Sequence, residues 1–435
     1  MKSALFRIRL RMRSPGGVTA PEASADPGQA LRLRRDTSGR VHLPGSTVAG
    51  SLRAHCEHYE ALAPTETRPG LFGQPPSGEK PEQRRASPVG VLGTLLRSAE
   101  QPVTSAPRTS IDRQRGAASN KTLHRAEQLP AGTEFDIVLR WDRPDERFDE
   151  FLRALRTWRP GLGRGTSHGA GLSEVVGLGH RVYDLATSRD LLDWLRTATP
   201  EDYPEAAPCE PHAPRNRLLD VELAIVDGIH IGIGGTDEEP DANPESTEGV
   251  EDVPKVSRVL RRDGQFLIPG TSLKGVLRSR VEYICRVVGA PACPEQSCGS
   301  CYPCEIFGYG GRSGHSRRSR VAVHDATITA PTLEERRHVA IDRFTGGAAP
   351  ELLYTDEVLT GGRFRLHVEA LEPLDELEQL HTLLLNTALA DLHDGLVGIG
   401  ARTTAGCGTV HVTDPDWQRP REMATLADRL RKESA

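Results

Sequence analysis

Long apolar runs are missing from this 435-residue sequence. No stretch approaches the ~18 consecutive apolar residues of a membrane-spanning helix. No charged segment leads into an apolar core of the secretory type, so the expected setting is cytoplasmic, with no membrane partner. An excess of positive charge is also missing: 55 basic against 60 acidic residues leave a net charge of −5. That balance argues against a generic polyanion binder but says nothing about local patches. Cysteine is sparse, yet four of the eight (Cys293, Cys298, Cys301 and Cys304) stand close together. In a cytosolic chain such grouping suggests metal before disulfides. Glycine (43) and proline (32) are plentiful, which favours loop-rich mixed α and β units over a helical bundle. The length suits roughly two to three domains.

Self-similarity organises the chain. LPGSTVAGSLR (43–53) matches IPGTSLKGVLR (268–278), and LFG (71–73) matches IFG (306–308). SIDRQRGAA (110–118) matches AIDRFTGGAA (340–349), and GLGRGTSHGAG (161–171) matches GIGARTTAGCG (398–408). The order is shared and the offsets are 225, 235, 230 and 237. Two copies of one fold, differing in loop insertions, account for this.

Each copy opens with alternation. Phe6, Ile8, Leu10 and Met12 share one face with Arg7, Arg9 and Arg11 opposite; Leu219, Val221, Leu223 and Ile225 repeat the pattern. Period two marks a half-buried strand. After the Pro-Gly corner, Leu273, Val276, Leu277, Val281 and Ile284 form a helical stripe, with Ser46 and Thr271 expected as N-caps. A second alternating strand follows (Phe135, Ile137, Leu139; Phe364, Leu366, Val368), then helices near 148–158 and 374–393 and a last strand after the Gly-rich loop. Strand–helix–strand–strand–helix–strand is the ferredoxin-like (RRM-like) pattern. The expected fold class is therefore α+β: two tandem domains with long insertions, at 1–185 and 217–415. A Pro-rich linker (186–216) and a helical tail (416–435) complete the division.

These motifs, in this order, resemble the RAMP superfamily of CRISPR-associated proteins. GIHIGIGG (228–235), IPGTSLKG (268–275), the cysteines ahead of IFG, and IDRFTGGA (341–348) resemble the backbone subunit of type III (Csm/Cmr-like) effector complexes. The likeness spans nearly the whole chain, although the first copy lacks the GIHIGG segment and the cysteines. The resemblance implies a subunit that lines up along a CRISPR guide RNA beside other effector subunits. A β-hairpin thumb would wedge between guide and target RNA. A loop aspartate before the Pro-Gly corner would support endoribonuclease cleavage of the target, with Mg²⁺ as a possible aid. EDVPKV best fits that aspartate, making Asp252 the choice, with Glu251 and Asp241 open; Asp26 in SADPG is the counterpart.

The residue chemistry agrees with RNA. A helix N-terminus presents unpaired N–H groups and partial positive charge, so Ser46 and Thr271 stand where a phosphate can sit. Lys274 and Arg278 lie one turn apart, with Arg53 as the counterpart of Arg278; such contacts fix register without reading sequence. Gly163, Gly165, Gly400 and Arg402 belong to loops whose missing Cβ atoms permit close approach of RNA. Neither loop is a dinucleotide motif, since Thr166 and Thr403 replace the third glycine. Arg113 and Arg343 follow the paired Ile-Asp steps and can stack on bases or fork to phosphate. His230 is a further RNA candidate, equally suited to a core.

Cysteine spacing of C-x4-C-x2-C-x2-C suits a structural zinc knuckle, with Cys285 an alternative ligand for so tight a string. Two other functions fit less of the pattern. One is a non-catalytic RNA scaffold; the other is a guide-processing endoribonuclease, for which His168 is the only tempting acid–base group.

Overall fold

The computed structural model describes the chain except residues 21–30, 66–69, 74–85, 98–102, 109–110, 113–116, 119–123, 198, 213–216, 233–255, 263, 294–297, 311–315, 372–377, 421–426 and 431–435. Contacts divide the described chain at 214/215.

The first unit runs β1 (Lys2–Met12), α1 (Gly45–Cys56), β2 (Val89–Leu96), β3 (Glu134–Asp142), α2 (Phe148–Thr157) and β4 (Ser173–Asp184). The strand order is β2-β3-β1-β4, each neighbour antiparallel. That is the ferredoxin-like order the sequence pattern anticipates. Phe6, Ile8 and Leu10 face Leu139, Ile137 and Phe135 across β1 and β3, and all six side chains are buried. Directly opposed apolar pairs on one face fix the register, because a one-residue slip would expose the whole set. The opposite arginines meet carboxylates within the sheet: Arg9 Nε lies 3.2 Å from Asp136 and Arg11 Nη2 2.7 Å from Glu174.

The segment expected as a bare linker folds onto this unit. Helix α3 (Ser188–Arg196) begins at Thr187, whose hydroxyl accepts from the Asp190 N–H, and β5 (Ala207–Pro208) extends the sheet beside β4. Arg7 donates to the carbonyls of Glu201 and Tyr203, at 2.8 and 3.2 Å.

The second unit runs β6 (Arg217–Ile225), β7 (Gln265–Ile268), α4 (Gly270–Val287), α5 (Tyr302–Phe307), β8 (Val321–Val323), β9 (Thr329–Ile341), β10 (Ala348–Ala370), α6 (Glu378–His393) and β11 (Val410–Val412). The order β8-β10-β6-β11 repeats the first unit's, again antiparallel. Four of the five stripe residues on α4 (Leu273, Leu277, Val281 and Ile284) are buried against this sheet, and Val276 packs beside them. Of the tail, Trp417 packs on the core and Leu430 is fully buried in it. It is therefore more than a surface helix.

Strand β10 outruns the sheet. Its residues Arg363–Glu369 pair with β6, while 348–361 pair with β9 as a long hairpin. At the turn, Asp342 Oδ1 accepts from the N–H groups of Phe344 and Thr345, both at 2.8 Å. Those N–H groups hold its carboxyl below the usual range. The first unit carries a counterpart, Thr104–Arg108 paired with His124–Gln128 and Ile111–Asp112 with Ala117–Ala118. The repeated Ile-Asp thus marks a hairpin turn in each unit.

Candidate nucleic-acid interface and metal knuckle

Both Pro-Gly corners make the same helix start, two residues earlier than expected. Pro44 and Pro269 are the N-caps, in extended conformation, and neither makes a side-chain cap. The Pro44 carbonyl receives the N–H groups of Thr47 and Val48, and that of Pro269 receives those of Ser272 and Leu273. Ser46 and Thr271 therefore lie inside the first turn, which corrects their assignment as caps. The proline ring already fixes φ near the value the corner needs, so no hydroxyl cap is required. Asp325, unforeseen in the sequence, takes the first amide of α4: its Oδ1 accepts from Gly270 N–H at 2.7 Å, and Arg262 closes on Oδ2 at 2.6 Å.

The corner arginines explain why two motifs recur together. Arg53 Nη2 donates to the Phe72 carbonyl, and Arg278 Nη1 to the Gly308 carbonyl, each at 2.7 Å. Each helix thus latches the Phe-Gly turn of its own unit. Arg278 also pairs with buried Glu282 at 3.0 Å and donates to Cys304 Sγ at 3.6 Å. Lys274 and Arg278 do share a face, but only a small part of each side chain reaches the surface, and Arg278 serves its own chain. Lys274 is 7% exposed. Burial first, and the Arg278 charge second, depress its ammonium to about 7. No acceptor for it is found among the described residues.

The Gly-rich loops approach their own units closely. A Cβ on Gly163 would sit 2.0 Å from the Gly17 carbonyl oxygen, and one on Gly400 2.5 Å from that of His230. Both glycines have φ near +94°. Gly16–Gly17 in the first unit therefore occupies the place that Ile229–His230 takes in the second, a correspondence hidden from sequence by its shortness. His230 is buried. Its Nδ1 donates to the Glu357 carbonyl at 2.7 Å, leaving Nε2 to accept from Ser257 Oγ at 3.1 Å. Its burial and both ring partners place it in the core of the second unit.

Where the first unit has Gly165 at φ 77°, the second has Arg402 at φ 60°. A side chain in the left-handed region is held there by its partners. Arg402 Nη2 lies 2.9 and 2.8 Å from the two oxygens of fully buried Asp356, and its guanidinium sits 5.1 Å from the Tyr354 ring centre. His338 stacks on Tyr354 at 5.0 Å and reaches Asp356 Oδ2 at 3.2 Å. This cluster at the foot of the hairpin was not foreseen, because its members are scattered over three segments. At the far end, Arg343 is exposed and Phe344 fully so. Asp252, Asp26 and Arg113 lie outside the described residues. His168 ends the short 3₁₀ turn Thr166–His168.

The four cysteines converge. Cys293 Sγ lies 3.6, 3.4 and 3.2 Å from the sulfurs of Cys298, Cys301 and Cys304. A disulfide needs about 2.05 Å, whereas tetrahedral zinc with bonds of about 2.3 Å spaces its sulfurs about 3.8 Å apart. The set fits zinc. Burial opposes ionisation of Cys298, yet the Ser300 N–H and the Cys301 and Cys293 thiols outweigh it and bring it down to about 6. Backbone and arginine donors to Cys293 and Cys304 complete a second layer. Cys285 is buried in the α4 core, its thiol pushed up to about 12 by burial, and is not in the group. A closed four-sulfur site would staple the α4–α5 connection and has no open position for catalysis.

The fold and these features define a duplicated ferredoxin-like protein with a cysteine knuckle in its second unit. The RAMP superfamily model matches residues 10–174 and 223–411. The chain belongs to the RAMP superfamily, as two fused RAMP domains with a CRISPR-associated RNA-binding role. A search of curated proteins finds no match. Among the described residues no helix is long and apolar enough to cross a membrane.

Proposed function

We propose that the chain is a backbone subunit of a type III CRISPR effector complex that holds guide RNA and cuts the paired target RNA. The observation that carries RNA binding is Lys274: a buried ammonium without an acceptor among the described residues, the fifth residue of an 18-residue helix. Burying a cation unpaired is costly, and a backbone phosphate would supply the missing charge. The exposed Arg343 and Phe344 at the hairpin tip suit phosphate contact and base stacking, as a thumb requires.

Cleavage rests on the family resemblance, which assigns it to Asp252 and Asp26. In the proposed reaction the target's 2′-oxygen attacks its own phosphorus while the bond to the 5′-oxygen breaks. A cyclic phosphate remains and the departing oxygen takes a proton. The carboxylate, with or without Mg²⁺, positions or deprotonates the 2′-hydroxyl. Cleavage of a complementary RNA by the assembled complex tests this with Asp252→Ala, Asp26→Ala and the double variant. Loss of one cut per single variant supports two active units. Unchanged cutting in the double variant refutes the assignment, and a wild-type complex that binds target without cutting favours the scaffold reading.

A further inference from the structure

A second metal-ligating group lies in the second unit, apart from the cysteines. On β10, Leu366 and Val368 point into the core against α4 and α6; His367 and Glu369 alternate with them onto the other face. His324, just beyond β8, donates its backbone N–H to the His367 carbonyl at 3.1 Å, which brings the two imidazoles to 4.4 Å between ring centres. Glu369 Oε2 then stands 3.3 Å from His324 Nε2 and 3.4 Å from His367 Nε2.

Those separations have a chemical meaning. Tetrahedral zinc held by nitrogen and oxygen at about 2.0–2.1 Å spaces its ligands about 3.3 Å apart. Two imidazoles converging on one carboxylate oxygen at that spacing supply two edges of such a tetrahedron, and the ligand atoms of all three residues lie within 4.8 Å of one another. The support behind them fits as well. His367 and Asp220 are cross-strand partners, and His367 Nδ1 faces Asp220 Oδ1 at 3.6 Å, leaving Nε2 for the ion. Asp220 is in turn held by Arg365 Nε at 2.5 Å and Arg217 Nη1 at 2.8 Å. Carboxylate–histidine–metal relays of this form orient ligands and raise their basicity.

The geometry points to a second divalent transition-metal site, formed by His324, His367 and Glu369 with Asp220 as the positioning residue behind His367. Two imidazoles and one carboxylate suit zinc or another first-row divalent ion and leave a position for water. This separates the site in kind from the closed four-sulfur knuckle, and it stands whether or not the chain cuts RNA.

The test is zinc titration of the full chain after chelator treatment, with the metal counted by mass spectrometry. The wild type should bind two equivalents. His367→Ala and Glu369→Gln should each bind one, with an unchanged far-ultraviolet circular dichroism spectrum, and Asp220→Asn should keep the second equivalent at about 10- to 100-fold weaker affinity. One equivalent in the wild type, or two in both ligand variants, would overturn the assignment. Should the variants fail to fold, X-ray absorption on the zinc-saturated wild type decides: mixed sulfur and nitrogen/oxygen shells support the second site, and an all-sulfur shell refutes it.

Discussion

Replacing Lys274 by methionine removes a buried charge while keeping most of the volume. The ammonium falls from its ordinary 10.5 to about 7 on folding, and each pH unit is worth about 1.4 kcal/mol. The cationic Lys274 therefore costs the folded state on the order of 4 kcal/mol at and below neutral pH. The sign follows from proton counting. Between pH 7 and 10.5 the unfolded chain binds more protons, so this contribution to stability improves as pH rises, and the penalty is full below about 7. Lys274→Met should accordingly raise the melting temperature at pH 6–7, with the gain vanishing toward pH 10. A bound phosphate would restore the charge, so RNA binding near pH 8 should take up close to one proton in the wild type and none in the variant. Titration calorimetry in two buffers of different ionisation enthalpy reads this directly. An unchanged melting point at pH 6–7 would refute the burial argument. Absent proton uptake, with RNA affinity intact in the variant, would remove Lys274 from the interface.

Other substitutions separate latches from contacts. Arg278→Ala removes a charge partner of buried Glu282 and should cost ~3–5 kcal/mol, whereas Arg53→Ala loses a bond to a carbonyl and should cost ~1–3 kcal/mol; chemical denaturation ranks them. Arg402→Ala and Arg402→Gly both free Asp356, but alanine should be worse by about 1 kcal/mol, since glycine alone accepts φ 60° without strain. Stripping zinc with a strong chelator should lower the melting temperature, and Cys301→Ser should already be destabilised before chelation. Arg343→Ala and Phe344→Ala should leave stability unchanged while weakening RNA binding, because neither packs on anything in the second unit's core.

The frame was legible because duplication prints every signal twice. Alternation in Phe6–Leu10 and in Leu219–Ile225 located the central strands, and the four motif matches located their order. The zinc knuckle was legible for another reason: its four ligands lie within 293–304, so spacing alone describes them. Sequence could not show what the corner charge meets. Arg53 and Arg278 read as phosphate ligands until the fold brought Phe72 and Gly308 beneath them. Ser46 and Thr271 read as caps because serine and threonine commonly cap, and the proline ring overrode that preference. The loop glycines were rightly expected at a close approach, but the approaching backbone is the chain's own, at Gly17 and His230. The Gly-rich loop marked Arg402, but its partners His338, Tyr354 and Asp356, like His324, His367 and Glu369, are brought together from distant segments, and no local pattern marks them.

The central claim is that guide RNA lies along the corner and hairpin of these fused units. Photo-crosslinking the guide RNA in the assembled complex, followed by peptide mapping, tests it most directly. Crosslinks to the 341–348 hairpin tip and to the 268–274 corner are the expected result. RNA-bound complex with crosslinks at neither place would contradict it.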